Sequence, residues 1–220
     1  MSFRKCFTVS FIFFFWLCWA PSDPSAEIKT EPKTKDLKSQ IFTHIAAGVS
    51  AMQTISSDFS QERHLSMLKE PLISTGKFAY EKPDHLYWEI VKPSPAGFVV
   101  QGDKAKRWGS DPRVTETVEI DQVPMVRAIV DQVFAWTRAD FPRLEKRYRI
   151  IVTEETPYLL KLIPLSSQEK RFLAHITIAF SEDWTYVRSV ELHEKGGDFT
   201  RIRFLKPLLN SSLPKDLFEK

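Results

Sequence analysis

From Ser74 to Pro93 the chain reads Ser-Thr-Gly-Lys-Phe-Ala-Tyr-Glu-Lys-Pro-Asp-His-Leu-Tyr-Trp-Glu-Ile-Val-Lys-Pro. Phe78 and Tyr80 alternate with Lys77 and Ala79, and Leu86, Trp88 and Ile90 alternate with Tyr87, Glu89 and Val91. A period of two marks β-strands, and Lys82-Pro83-Asp84 is turn chemistry between them. The pattern continues downstream. Phe98-Val99-Val100 and Lys106-Arg107-Trp108 flank the turn Gln101-Gly102-Asp103-Lys104, and Val114–Ile120 alternates again. Further strands are expected over Tyr148–Val152, Tyr158–Ile163, Phe172–Phe180, Val187–His193 and Phe199–Phe204, with a Gly196-Gly197 turn before the last. The tail from Leu205, with Pro207 and Pro214, reads as irregular.

Two helices frame these strands. Leu37, Ile41, Ile45, Val49, Met52 and Ile55 recur at spacings of four and three, which places them on one helical face with Asp36 as N-cap. Gly48 lies inside that helix and costs about 1 kcal/mol of propensity, so something must pack closely there or the helix is weak. Val126, Ile129, Val130, Val133 and Phe134 share a second face, between Pro124 and Pro142. Roughly nine to eleven strands and two helices predict a mostly β, α+β fold. The expected form is an open antiparallel barrel or strongly curved sheet, with helices over one face.

The chain has 220 residues, 43% hydrophobic and 27% charged, the composition of a globular protein. A net charge of +3 is too mild to argue for nucleic acid. Arg4 and Lys5 precede an uncharged stretch from Cys6 to Ala20, the layout of a secretory signal peptide, with cleavage after Ala20 or Ala26. The expected organisation is a signal peptide over 1–26, a flexible charged leader over 27–36 and a single domain over 37–220. Both cysteines, Cys6 and Cys18, precede Ala26, so the exported chain has no disulfide and no cysteine metal site.

Catalytic patterns are thin. His44, His64, His85, His175 and His193 stand at no metal-ligand spacing, and there is no HExxH or G-x-S-x-G. The Gly97…Gly102 spacing lacks the Lys-Ser/Thr of a phosphate loop. Ser167 and Ser212 each begin an S-x-x-K pattern in loop-like sequence, a pattern common by chance. A hydrolase built on them is the weakest of the readings.

One block is more specific. Phe59-Ser60-Gln61 is followed by Ser74-Thr75-Gly76-Lys77-Phe78, then Lys82-Pro83, Trp88, Pro93, Gly102-Asp103-Lys104 and Trp108. In order and spacing this resembles the periplasmic outer-membrane lipoprotein carrier (LolA) family, and Arg63…Leu65…Leu68…Pro71-Leu72 resembles its divergent members. The resemblance implies an incomplete antiparallel β-barrel whose apolar interior is covered by helices. It implies a periplasmic, monomeric protein that is not an enzyme and needs no cofactor or metal. It also implies cargo and partners: acylated lipoproteins or another lipid, an inner-membrane lipoprotein-releasing transporter and an outer-membrane receptor. Lys82 holds the place of the family's basic residue before proline, which is tied to lipoprotein handover. Many carriers have arginine there, and lysine cannot make the same bidentate contacts.

On this reading the acyl cavity and its lid are lined by Ile41, Ile45, Phe59, Phe78, Leu86, Trp88, Phe98, Val126, Ile129, Val130, Leu160, Leu162, Ile176 and Ile178. A carrier is expected to leave an interior that its own side chains do not fill. The alternative, that these residues pack a solid core, stays open at this level. So does a lipid-sensing or interaction module on the same scaffold.

Overall fold

The computed structural model describes residues 31–111, 113–120, 130, 133–153 and 159–219. The chain opens with α1 (Glu31–Ser50), continues through β1 (Thr54–His64), β2 (Leu72–Glu81), β3 (His85–Lys92), β4 (Ala96–Gln101), β5 (Lys104–Trp108) and β6 (Thr115–Glu119), then reaches α2 (Phe141–Arg147). It ends in β7 (Tyr148–Val152), β8 (Leu159–Pro164), β9 (Leu173–Phe180), β10 (Val187–Glu194) and β11 (Phe199–Leu209). Residues 133–137 are also helical.

All eleven strands form one antiparallel sheet in the order β6-β5-β4-β3-β2-β1-β11-β10-β9-β8-β7. Two meanders, β1–β6 and β7–β11, are joined where β1 pairs with β11 from Ile55↔Leu209 to His64↔Phe199. The sheet is open, with β6 and β7 as its edges, and strongly curved.

Glycine-aromatic pairs help it curve. Gly76 lies directly opposite Phe59, whose ring occupies the space where a Cβ would stand. Gly97 pairs with Trp108 on the other face, and a Cβ there would lie 2.5 Å from the indole Cζ2. A ring laid over a glycine covers bare backbone and lets strands bend together. The register shift between Ser56 and Asp58 adds a bulge at the β1–β11 joint.

The concave face carries the core. Phe59, Phe78, Tyr80, Leu86, Val100, Leu160, Leu162, Ile176, Ile178 and Val190 are buried there together with Ile41, Ile45 and Val49 of α1. A smaller cluster occupies the convex face, where Ala79, Tyr87, Val99 and Trp108 are closed over by Phe218 of the tail.

Several boundaries differ from the expectation. The first helix starts at Glu31, so Asp36 lies within it rather than capping it. Pro142 does not merely end a helix. Asp140 caps α2 by accepting from the Arg143 amide at 3.1 Å, and Pro142 sits in its first turn. β11 runs on through Pro207 to Leu209, past the expected start of the irregular tail. No helix of the described residues is long and apolar enough to cross a membrane.

Candidate functional site

Of the residues expected to line a cavity, Ile41, Ile45, Phe59, Phe78, Leu86, Phe98, Val130, Leu160, Leu162, Ile176 and Ile178 are buried in one continuous cluster, with Trp88 packed against it. Val126 and Ile129 lie outside the described residues. Sequence reasoning missed Tyr80, Val133, Trp136, Tyr148 and Phe204, which belong to or pack against the same cluster. Tyr80 and Phe204 had the alternation signal, and Trp136 had only its place after the second apolar face.

The described interior holds side chains of the helices as well as of the sheet. Helical side chains occupy the concavity, because Ile41, Ile45 and Val49 stack four residues apart along the face of α1 that meets the sheet. Among the described residues a small apolar cavity of about 20 Å³ lies within this cluster. It lies where Val49 and Met52 at the end of α1, Ile55 of β1, Phe78 of β2, Val133 and Trp136 of the helical stretch, Tyr186 and Val187 before and in β10, and Phe204 of β11 converge. Beside it runs an aromatic wall: Phe78 and Phe204 centroids lie 5.0 Å apart, Phe59 and Trp88 4.4 Å, and Tyr80 and Phe134 5.7 Å.

The cover is fastened at few polar points. The Lys82 ammonium donates to the carbonyl oxygens of Val49 and Ser50 at 3.0 and 3.1 Å. These are C-terminal carbonyls of α1, of which Val49 O also accepts from the Met52 amide at 3.2 Å, and a cation suits the negative end of the helix dipole. Burial holds the Lys82 pKa below the ordinary lysine value. The neighbouring Pro83 carbonyl accepts from the Arg138 guanidinium, which leaves the helical stretch at 133–137 and lies over the Phe134 ring, 4.5 Å from its centroid. The Tyr80 hydroxyl donates to the same carbonyl at 3.2 Å. One turn, Lys82-Pro83, thus grips both covering elements. Nearer its N-terminus, α1 is held to α2 by the Phe42–Phe141 stack at 3.9 Å and by the Lys38–Glu145 ion pair at 2.6 Å.

On the opposite face, rings form a row across four strands. His175 stacks on His193 at 4.3 Å, His193 on Phe199 at 5.3 Å, and Phe199 on His64 at 4.1 Å. Burial, with His193 and Lys161 nearby, pushes the His175 pKa down. Glu62 is held below the usual carboxylate range by its bond to His64 and by Arg203 and Arg201. Among the described residues no group of three or more His, Cys, Asp or Glu could hold a metal ion. Ser167 and Ser212 are both solvent-exposed.

The fold and site define a class: an open antiparallel half-barrel whose apolar concavity is closed by helices tied to it at a few polar points. The family model described as outer membrane lipoprotein carrier protein LolA matches residues 50–220, and the chain belongs to this family. The chain is 28% identical over 169 residues to an outer-membrane lipoprotein carrier protein of Dechloromonas aromatica (strain RCB), covering 76% of each. An uncharacterized conserved protein from Thermus thermophilus shares the fold, with a TM-score of 0.52 at 6% identity over 83% of this chain and 93% of that one. A Pseudomonas aeruginosa MucA/MucB complex gives a TM-score of 0.47 at 11% identity, over 83% of this chain and 61% of that one.

Proposed function

We infer that this protein is an exported periplasmic carrier that shelters the acyl chains of lipoproteins between its sheet and its helical cover. It moves them towards the outer membrane without covalent chemistry or a cofactor. The observation that carries this reading is the cover itself. Its underside is apolar, and its ends are held by Lys82 and Arg138 rather than by a second sheet layer.

Magnitudes support a displaceable cover. The Lys82 contacts at a helix C-terminus are worth about 1 kcal/mol, the scale of exposed charge-dipole interactions. Each acyl methylene removed from water is worth about 0.8 kcal/mol. An entering chain replaces Ile41, Ile45 and Val49 as the apolar partner of the sheet. The exchange swaps one set of apolar contacts for another, so the methylenes buried beyond those that replace Ile41, Ile45 and Val49 are what offset the lost latch. Release runs the same exchange backwards, with the latch re-forming. Lys82 is the transfer-related residue in this scheme, and the guanidinium usual at its place is supplied to the same turn by Arg138. The donor is an inner-membrane lipoprotein-releasing transporter and the acceptor an outer-membrane receptor.

The test is native mass spectrometry of protein purified without residues 1–26, titrated with a diacylated lipopeptide and with the same peptide unacylated. A one-to-one adduct with the acylated form alone is expected. No adduct, or equal adducts with both, would overturn the reading.

A further inference from the structure

Trp136 lines the cavity at the joint of the cover, together with Thr137 and Thr185. Trp136 is buried, 7% exposed, and its indole Nε1–H meets no hydrogen-bond acceptor among the described residues. A buried donor without a partner is costly, and such groups in native proteins call for an explanation.

Local hydroxyls do not provide one. Thr137 Oγ1 donates to the Val133 carbonyl and Thr185 Oγ1 to Asp183 Oδ1, each at 2.8 Å, and neither oxygen makes a hydrogen bond with the indole N–H. Water is a poor resident. A volume of about 20 Å³ admits at most one molecule, which needs two to four polar partners, and the walls are mainly Val49, Met52, Ile55, Phe78 and Phe204. What suits the site is a hydrogen-bond acceptor carried on an apolar body. The acceptor should be neutral, because no lysine or arginine is among the described residues that line the cavity and an unpaired carboxylate there would be strongly disfavoured.

We propose that Trp136 Nε1–H donates to the carbonyl oxygen of a neutral acyl group, an ester or amide at the root of a fatty chain, and that this bond sets where the chain is anchored beneath the cover. The proposal rests on the carrier reading and sharpens it: the ligand is acyl ester or amide, not free fatty acid. The carbonyl sits where α1, the helical stretch and β10 meet, and the methylene tail runs inward along the aromatic wall. Opening of the cover enlarges the space to admit it.

The test compares two lipopeptides of equal chain length, one ester-linked and one ether-linked, so that only the carbonyl differs. The wild-type protein binds the ester about five- to tenfold more tightly, the range of one neutral hydrogen bond. Trp136→Phe binds both alike, at the wild-type affinity for the ether. In the wild-type protein the Trp136 indole N–H resonance moves downfield with the ester and not with the ether, a readout that needs no variant. Equal wild-type affinities, or an ester preference kept by Trp136→Phe, would overturn the proposal and leave the carrier reading standing. Binding of neither ligand would overturn both.

Discussion

At Gly48 the backbone of α1 comes so close to the turn before β10 that a Cβ would lie 2.5 Å from the Trp184 carbonyl oxygen. Two effects then oppose each other in Gly48→Ala. Helix propensity favours alanine by about 1 kcal/mol, whereas forcing backbone from backbone costs about 1–3 kcal/mol, the usual penalty of overpacking. Backbone atoms stand on both sides of the contact, so the steric penalty wins. Gly48→Ala is expected to lower the unfolding free energy in urea, while Gly→Ala at an open helical site would raise it. A stabilised variant would refute the close packing. The sequence left open whether Gly48 marks a close approach or a weak helix, and could not name Trp184, which is far along the chain. A second residue-scale expectation concerns Phe59, which is fully buried over Gly76. Phe59→Ala loses the ring and uncovers the glycine, and should cost about 3–5 kcal/mol by the same measurement.

The latch is a property of elements. Lys82 holds α1, and Arg138 holds the helical stretch at 133–137, both through one turn. Lys82→Met keeps the aliphatic stem and removes the ammonium. It should speed amide exchange along α1 several-fold while β2 and β9 keep their protection. Arg138→Met should do the same for 133–137 and leave α1 nearly unchanged. Exchange that rises uniformly across the sheet would mean that the contacts support the whole fold rather than the cover. Strands were legible because one face of each is buried, and alternation records that. Which face points inward was not legible for β2, β3 and β4. Ala79, Tyr87 and Val99 on the convex side are as apolar as Phe78, Leu86 and Phe98 on the other, since the tail covers them with Phe218. The second helical stretch ends before Pro142, as expected, but the separate helix α2 was missed because Pro142 looks the same as a stop and as the first turn of a capped helix. How far the concavity is filled was not legible for a related reason: a carrier interior and a solid core call for the same residue types.

The molecule as a whole should weaken in mild acid. The folded protein binds the His175 proton less readily than the unfolded chain, through burial and the nearby His193 and Lys161. That contribution to stability is complete above about pH 6.5, the unfolded histidine value, and is lost as pH falls from there through the lower folded value. Glu62, whose folded pKa is depressed, adds a second loss below about pH 4.5. Thermal melts from pH 8 to pH 5 should therefore slope downward below pH 6.5, and His175→Phe should flatten that slope. An unchanged slope would remove His175 as its cause.

The central claim is that acyl chains enter by displacing the helical cover. Hydrogen exchange of the wild-type protein with and without saturating diacylated lipopeptide tests it most directly. The account predicts that α1 amides exchange faster in the complex while the central strands β1, β2 and β11 keep their protection. Amides of α1 that are unchanged or slowed in a complex of confirmed stoichiometry would contradict it.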